Sequence, residues 1–238
     1  AVWVFSVLIA FRLFNEVWSN TMVIGTYFGE KDSVPYFWSI IVFTVLTVAY
    51  TLKGGLRSSL ITDLIQMTLF GVLLFIILGV ILPKTGGNIG AFVSSGEWTM
   101  VGGLNLLFVA ILQIFSYPFH DPVLTDRGFI SSPKTTLKSF LWATILGGMC
   151  ILLFSVVGVF AKHQGMEGQA AVVVSKAFGV VILLVVNFIM ITSAASTLDS
   201  TFSASAKLIA IDLKVGDKLS LGRWIMIAVA VFGTIPVF

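Results

Sequence analysis

Charged residues, cysteine and histidine are all scarce in this sequence. Only 11% of the 238 residues are charged, whereas soluble domains carry about 25%. A single cysteine, Cys150, excludes a disulfide framework and a paired-cysteine metal site. His120 and His163 lie far apart in the sequence, so a histidine-based metal site is not expected. The net charge of +3 is small and scattered, which gives no indication of a nucleic-acid partner.

Long apolar runs take the place of charge. Hydrophobic residues make up 58% of the chain, and the mean hydropathy is +1.05. A soluble fold of this size cannot bury so much apolar surface, but a bilayer can cover it. The runs are continuous and do not alternate, which favours helices over the strands of a membrane barrel. Both ends lie in apolar runs, and residues 1–10 lack the features of a signal peptide, so we expect a fragment of a longer membrane protein.

Seven segments meet or approach the length of about 20 mostly apolar residues that a bilayer-crossing helix needs. The sequence therefore predicts an all-α, polytopic transmembrane bundle that forms a single domain over residues 1–238. The short connections between the segments carry glycine and proline, and Gly54-Gly55 can act either as a tight turn or as a hinge. The predicted spans are 1–28, 36–52, 58–82, 101–119, 139–161, 177–206 and 222–238.

Lysine and arginine in the connections predict the orientation of the bundle in the membrane. If residues 53–57 are cytoplasmic, 120–138 and 207–223 are cytoplasmic too, because each span crosses once. That side then holds nine basic residues, and the opposite side holds four: Lys31, Lys84, Lys162 and Lys176. We therefore expect a multi-pass protein of a bacterial inner membrane or plasma membrane, with residue 1 near the cytoplasm.

Ionisable side chains inside the predicted spans are candidate functional residues, since each costs about 2.5–3.5 kcal/mol on insertion. In the first span, one helix face carries Arg12, Asn15, Glu16 and Ser19. They fit either a structural ion pair or a polar wall of a substrate pathway. In the third span, the same spacing recurs at Ser59, Thr62, Asp63 and Gln66. There Asp63 fits either a cap at the start of the helix or a role in cation binding.

The sixth span is rich in small and hydroxyl-bearing residues. One stripe along this span consists of Ser193, Ser196, Ser200 and Ser203. An adjacent stripe consists of Thr192, Ser196 and Asp199. Small residues let helices approach closely, which explains part of the pattern by packing alone. Hydroxyls that end in a carboxylate also offer hard oxygen ligands, which suit a dehydrated sodium ion. Because the third and sixth spans run in opposite directions, Asp63 can meet Thr192 and Ser193 at a similar depth.

The fourth span ends with polar and aromatic residues, Gln113, Tyr117 and His120, around Pro118. A proline in the last turn is expected to kink or end the helix. Tyr117 fits an interfacial aromatic anchor or a residue of a substrate pathway.

Three motifs resemble those of the sodium:solute symporter family, whose members couple sodium to sugars, proline, sialic acid or pantothenate. They occur in the family's order within residues 50–212. The resemblance is carried by YTLKGGL at 50–56 with TDLIQ at 62–66, by TDR at 125–127 with SSPK at 131–134, and by TSAASTLDS at 192–200.

This resemblance implies a leucine-transporter-type core, in which two five-helix inverted repeats surround a site at the membrane midplane. The chain would supply core helices three to nine. The implied activity is sodium-coupled symport of a small organic solute by alternating access. Its partners would be the solute, the sodium ion and the lipid bilayer, with Na⁺ as coupling ion, no other metal and no further cofactor. No enzymatic activity is expected.

The resemblance also implies roles for individual residues. Thr192 and Ser193 match the hydroxyl pair that binds sodium, Ile189 matches a carbonyl ligand, and Asp63 matches a nearby carboxylate. Tyr117 matches an aromatic residue that closes the inner side of the substrate pocket, and Gln113, Glu16 and Asn15 are assigned to the same pathway. Ser196, Asp199 and Arg12 are assigned as accessory polar residues. Asp121-Pro122 and Pro118 depart from the sugar-transporter pattern, so a sugar is not implied as the substrate.

The principal alternative function is a symporter-like membrane input domain of a sensor histidine kinase. A kinase module beyond the last membrane helix would distinguish it from a transporter. A membrane-embedded enzyme has little support, since the sequence has no nucleophile–histidine–acid set, no paired-histidine spacing and no phosphate-binding loop.

Overall fold

The computed structural model describes residues 2–86, 89–216 and 218–238, without the side chains of residues 2, 55–58, 89, 91, 118, 120 and 127. The side chains of Pro118, His120 and Arg127, to which predictions above refer, therefore lie outside the described part. Every regular element within the described ranges is helical, which confirms the all-α prediction. The α-helices are α1 (Val2–Thr26), α2 (Val34–Lys84), α3 (Ile89–Ser94), α4 (Gly103–His120), α5 (Pro122–Gly128), α6 (Pro133–His163), α7 (Ala170–Ala177), α8 (Val180–Lys207) and α9 (Leu219–Thr234).

Among the described residues, five helical segments are long and apolar enough to cross a membrane, which supports a membrane-embedded protein. They are Val34–Gly54, Ser59–Lys84, Pro133–His163, Val180–Asp212 and Leu219–Val237. The other two predicted spans form α1 and α4, which are not among the five. Among the described residues, Gly103–Tyr117 of α4 is a shorter apolar helix.

Several helix boundaries differ from the predicted ones. The sixth predicted span begins at Val180, because Gly179 adopts a φ of 105° and separates α8 from α7. A left-handed φ of this kind is readily adopted by glycine. The short helices α3, α5 and α7 lie in or beside predicted connections. After α8 the chain continues as a π-helix over Leu208–Asp212.

The chain divides into two compact units. The first consists of Ala1–Thr68, His120–Val123 and Phe188–Phe238, and the second of Leu69–Phe119 and Leu124–Asn187. In the second unit, α6 packs against α7, and the rings of Phe160 and Phe178 stack with centroids 5.7 Å apart. There the Lys162 ammonium donates to the Glu97 carboxylate over 2.7 Å, and this contact holds the pKa of Glu97 below its usual value.

The core of the first unit lies between α1, α8 and α9. Val17 and Ile24 of α1 are fully buried against Leu198 and Phe202 of α8 and Ala230 of α9. The buried positions of α1 recur every three or four residues, as in a helix with one packed face. Other apolar side chains of α1 and α9 are exposed, for example Trp3, Phe11 and Phe232. Such an apolar exterior suits contact with lipid.

The helical residues Val34–Lys84 of α2 form two halves that run in opposite directions along α8. We call Val34–Gly54 α2a and Ser59–Lys84 α2b. The hydroxyls of Tyr50 and Thr62 both donate to Oδ2 of Asp199, over 2.9 and 2.8 Å. Twelve residues of straight helix advance about 18 Å, which is further than these two side chains can bridge. The chain therefore turns back between α2a and α2b, at the segment that contains Gly54-Gly55. Glycine pairs are a frequent place for sharp bends.

Candidate functional site

Asp199 of α8 is the most deeply placed carboxylate of the first unit, and its side chain is fully buried. Its Oδ2 accepts the hydrogen bonds from Tyr50 of α2a and Thr62 of α2b. Its Oδ1 lies 3.3 Å from the hydroxyl of Ser200, which is itself 2.6 Å from the hydroxyl of Ser59. We call these five residues the Asp199 cluster. The cluster joins both halves of α2 to α8.

Three polar pairs connect α2b to α8 in an antiparallel register, and we call them the polar ladder. Ser59 meets Ser200, Asp63 accepts from the hydroxyl of Ser196, and the Gln66 amide donates to the hydroxyl of Ser193 over 2.9 Å. Each step of three or four residues forward on α2b matches an equal step back on α8. This regularity arises because the polar positions of both helices recur with the period of an α-helix.

Asp199 is closed to water, whereas Asp63 is partly buried. Ser59, Ser196 and Ser200 are buried beside Asp199. A carboxylate in such a place is costly unless hydrogen-bond donors or a cation stabilise its charge. Within the described residues, the ion pairs are Arg12–Glu16, Lys162–Glu97 and Lys207–Asp212, and none of them includes Asp199. The hydroxyls of Tyr50, Thr62 and Ser200 therefore stabilise Asp199. Each hydroxyl retains lone pairs that can bind a cation.

The four residues predicted to bind sodium form two separate sets of contacts. The Thr192 hydroxyl donates to the carbonyl oxygen of Ile189 over 2.8 Å, so these two predicted ligands are adjacent. Asp63 instead bonds to Ser196, one turn further along α8, and Ser193 bonds to Gln66. Asp199, assigned from the sequence as accessory, is the centre of the buried cluster. Groups of three or more histidine, cysteine or acidic side chains are absent from the described residues.

The polar face of the first predicted span forms a local network within α1. Arg12 pairs with Glu16, and both side chains are about one-fifth exposed. Asn20 donates to the Glu16 carboxylate over 3.0 Å, while Asn15 is exposed. The contacts thus form the ion pair that was one of the two interpretations of this spacing. They do not join Asn15 and Glu16 to the Asp199 cluster.

The predicted pathway residues of the fourth span belong to the second unit. Gln113 is exposed and Tyr117 is partly buried in the last turns of α4. The helix continues through Pro118 and ends at His120, so the proline lies in the final turn, as the sequence predicts.

Tyr50 is the cluster residue to which the sequence analysis assigned no role at the site. Its hydroxyl reaches Asp199 from α2a, whereas Ser59 and Thr62 reach it from α2b. Helical periodicity relates residues of one helix, so it cannot relate residues on opposite sides of a turn. The sequence signal that could have found Tyr50 was its place in the YTLKGGL motif, shortly before Gly54-Gly55.

The register of the polar ladder predicts a specific cross-link. In a Cys150→Ser background, we expect Ser59→Cys/Ser200→Cys to form a disulfide in most molecules under mild oxidation, because the native hydroxyl oxygens lie 2.6 Å apart. A protease site inserted at residues 164–168 separates the two cysteines, so only the cross-linked chain stays intact on a non-reducing gel. The control pair is Ser59→Cys/Ser193→Cys. Its second position lies about 10 Å further along α8, and efficient cross-linking there would contradict the register.

Comparison of the chain with protein-family models, with curated proteins and with solved structures finds no match. The likeness to sodium:solute symporters therefore rests on the three motifs alone, and the function is argued from the geometry of the site.

Proposed function

We propose that this chain belongs to a sodium-coupled symporter of the cell membrane, which moves a small organic solute by alternating access. The observation that carries the proposal is the oxygen-rich contact between α2b and α8. Two carboxylates, Asp63 and Asp199, lie there among serine and threonine hydroxyls inside apolar helices. The motifs that resemble sodium:solute symporters lie on the same two helices, which supports the proposal independently of the geometry.

Sodium suits this chemistry because it is a hard cation that takes oxygen ligands, as calcium and magnesium do. Hydroxyls that now donate to carboxylates can rotate and present their lone pairs to an ion. The proposed ligands are Asp63 and Ser196 of the polar ladder, and Asp199 and Ser200 of the Asp199 cluster. Ile189, Thr192 and Ser193 provide a second oxygen-rich region along α8, nearer its start. A bound sodium ion would then balance the buried negative charge of the carboxylates. In the absence of the ion, the hydroxyl hydrogens that donate to the carboxylates stabilise that charge.

A structural role for the same contacts is the competing explanation, since hydroxyls also join helices inside membranes. Packing alone, however, needs only small residues, which Ala194 and Ala195 already provide. Two acids in one polar contact add an insertion cost of about 2.5–3.5 kcal/mol each. Helix packing alone gives no reason to retain two acids at this cost, whereas a cation site requires negative charge.

Coupling would follow from the linkage between the ion and the solute. If sodium binds one conformation more tightly, and that conformation also binds solute, each ligand raises the affinity for the other by the same factor. The movement of one charge through 100 mV provides about 2.3 kcal/mol. One sodium ion can therefore drive a solute gradient of roughly fiftyfold from the membrane potential alone. The residues Tyr117, Gln113, Glu16 and Asn15 remain the predicted lining of the solute pathway.

The test is uptake of ²²Na by the complete natural protein that carries this sequence, in proteoliposomes with a panel of solutes. We expect a solute to stimulate uptake in the wild type, and the Thr192→Ala/Ser193→Ala variant to reduce that uptake at least tenfold by removing two hydroxyl ligands. Thr68→Ala is the matched control, because the Thr68 hydroxyl is exposed and bonds only to its own helix, at Leu64. No sodium flux with any solute would contradict symport and favour the sensor function. Normal flux in the double variant would retain symport and remove Thr192 and Ser193 from the ion site.

A further inference from the structure

A cavity of about 420 Å³ lies where α2a and α8 end and α9 begins. Its apolar floor includes Leu52 of α2a, Ala206 and Ala210 near the end of α8, and Met226 of α9. The π-helix at Leu208–Asp212 forms part of one wall. A π-helix is rare and is found often at functional sites. The cavity belongs entirely to the first unit.

Four basic side chains from three separate helical segments surround this cavity: Lys53, Lys207, Lys218 and Arg223. Lys207 donates to the Asp212 carboxylate over 3.1 Å. None of the ion pairs formed within the described part of the chain uses Lys53, Lys218 or Arg223. The lining contains no carboxylate among the residues that the structure describes. The rim of the cavity is therefore strongly positive, while its floor is apolar.

The cavity also lies at the ends of three candidate membrane spans, Val34–Gly54, Val180–Asp212 and Leu219–Val237. Trp224, next to Arg223, is 69% exposed. Tryptophan is enriched at the level of lipid headgroups, and long basic side chains reach the same level from helix ends. The basic residues here are part of the excess that predicts the cytoplasmic face, where anionic lipids interact with basic pockets between helices.

From this combination we infer that the cavity binds the headgroup of an anionic phospholipid. The phosphate would lie among Lys53, Lys218 and Arg223, and the glycerol and upper acyl carbons would cover the apolar floor. A soluble phosphate compound would use the same cations but would leave that floor uncovered. The inference does not depend on sodium coupling, because the cavity and the Asp199 cluster share no residue.

The experiment measures binding of the first lipid to the complete protein in detergent by native mass spectrometry. Phosphatidylglycerol is the anionic probe and phosphatidylcholine the neutral one. We expect the wild type to bind phosphatidylglycerol at least tenfold more tightly. Each basic residue near a headgroup contributes about fivefold in affinity. We call Lys53→Gln/Lys218→Gln/Arg223→Gln the cavity variant. It is thus expected to bind phosphatidylglycerol about a hundredfold more weakly, with phosphatidylcholine binding unchanged.

The matched control is Lys31→Gln/Lys134→Gln/Lys138→Gln, because it removes three exposed charges that do not line the cavity. The proposal would be overturned if the control lost as much phosphatidylglycerol affinity as the cavity variant, or if the cavity variant lost none. Glycerol 3-phosphate and inorganic phosphate test the soluble source, and binding of either as tight as that of phosphatidylglycerol would overturn the assignment to a lipid. Hydrogen exchange gives a second readout in variants that keep the wild-type melting temperature. Phosphatidylglycerol should slow exchange in residues 206–223 of the wild type but not of the cavity variant.

Discussion

Asp199→Asn is expected to abolish solute-stimulated sodium uptake, with the largest effect of any single substitution in this chain. At an effective dielectric constant of 20, two unit charges 4 Å apart attract by about 4 kcal/mol. Loss of that attraction weakens sodium binding by roughly a thousandfold. Asparagine retains the shape of the side chain and one acceptor oxygen for Tyr50 and Thr62, so the helix contacts can persist. The measurement is the dependence of ²²Na uptake on sodium concentration in proteoliposomes.

A thermal assay separates loss of the ion from loss of the fold. A ligand that binds only the folded protein adds about 2.7 kcal/mol of stability at one hundred times its dissociation constant. Sodium, compared with choline at equal ionic strength, should therefore raise the melting temperature of the wild type but not of Asp199→Asn. Asp212→Asn is the matched control, because the Asp212 carboxylate pairs with Lys207 at a half-exposed site. A sodium-dependent rise that survives in Asp199→Asn would show that Asp199 does not bind the ion.

Helical periodicity was sufficient to identify the polar faces of α2b and α8 from the sequence. The spacing of Ser59, Asp63 and Gln66, and of Ser193, Ser196 and Ser200, is the spacing along which the two helices meet. It could not specify the register between them, because sliding one helix by a turn keeps both polar faces together. The structure pairs Asp63 with Ser196, about one turn away from the expected partners Thr192 and Ser193.

Burial was the second property that the sequence could not provide. Asp199 and Asp63 are both acids in apolar spans, and the pattern of neighbours gave no reason to rank Asp199 higher. Only the turn between α2a and α2b, which brings Tyr50 back beside Thr62, encloses Asp199 on two sides.

Gly233→Ala is expected to destabilise the first unit by about 1–3 kcal/mol, as overpacking of a well-filled core does. Gly233 of α9 faces Val17 of α1, which is fully buried. A Cβ atom at residue 233 would lie 2.6 Å from Cγ1 and 2.7 Å from Cβ of Val17. These distances are too short for carbon atoms, and the Cβ of Val17 is fixed to its helix backbone. Helices α1 and α9 must therefore move apart, and the closely packed core that they form with α8 loses contacts.

The measurement for this prediction is thermal unfolding of the purified protein in detergent. Gly222→Ala is the matched control on the same helix, where the nearest atom to the added Cβ is the Cβ of Ala206 at an ordinary 4.0 Å. Alanine is about 1 kcal/mol more favourable than glycine inside a helix, so the control should be neutral or stabilised. Both variants exchange glycine for alanine within α9, and the difference between them therefore reports the contact with Val17. Equal melting temperatures would show that α1 and α9 do not approach as closely at Gly233 as the structure places them.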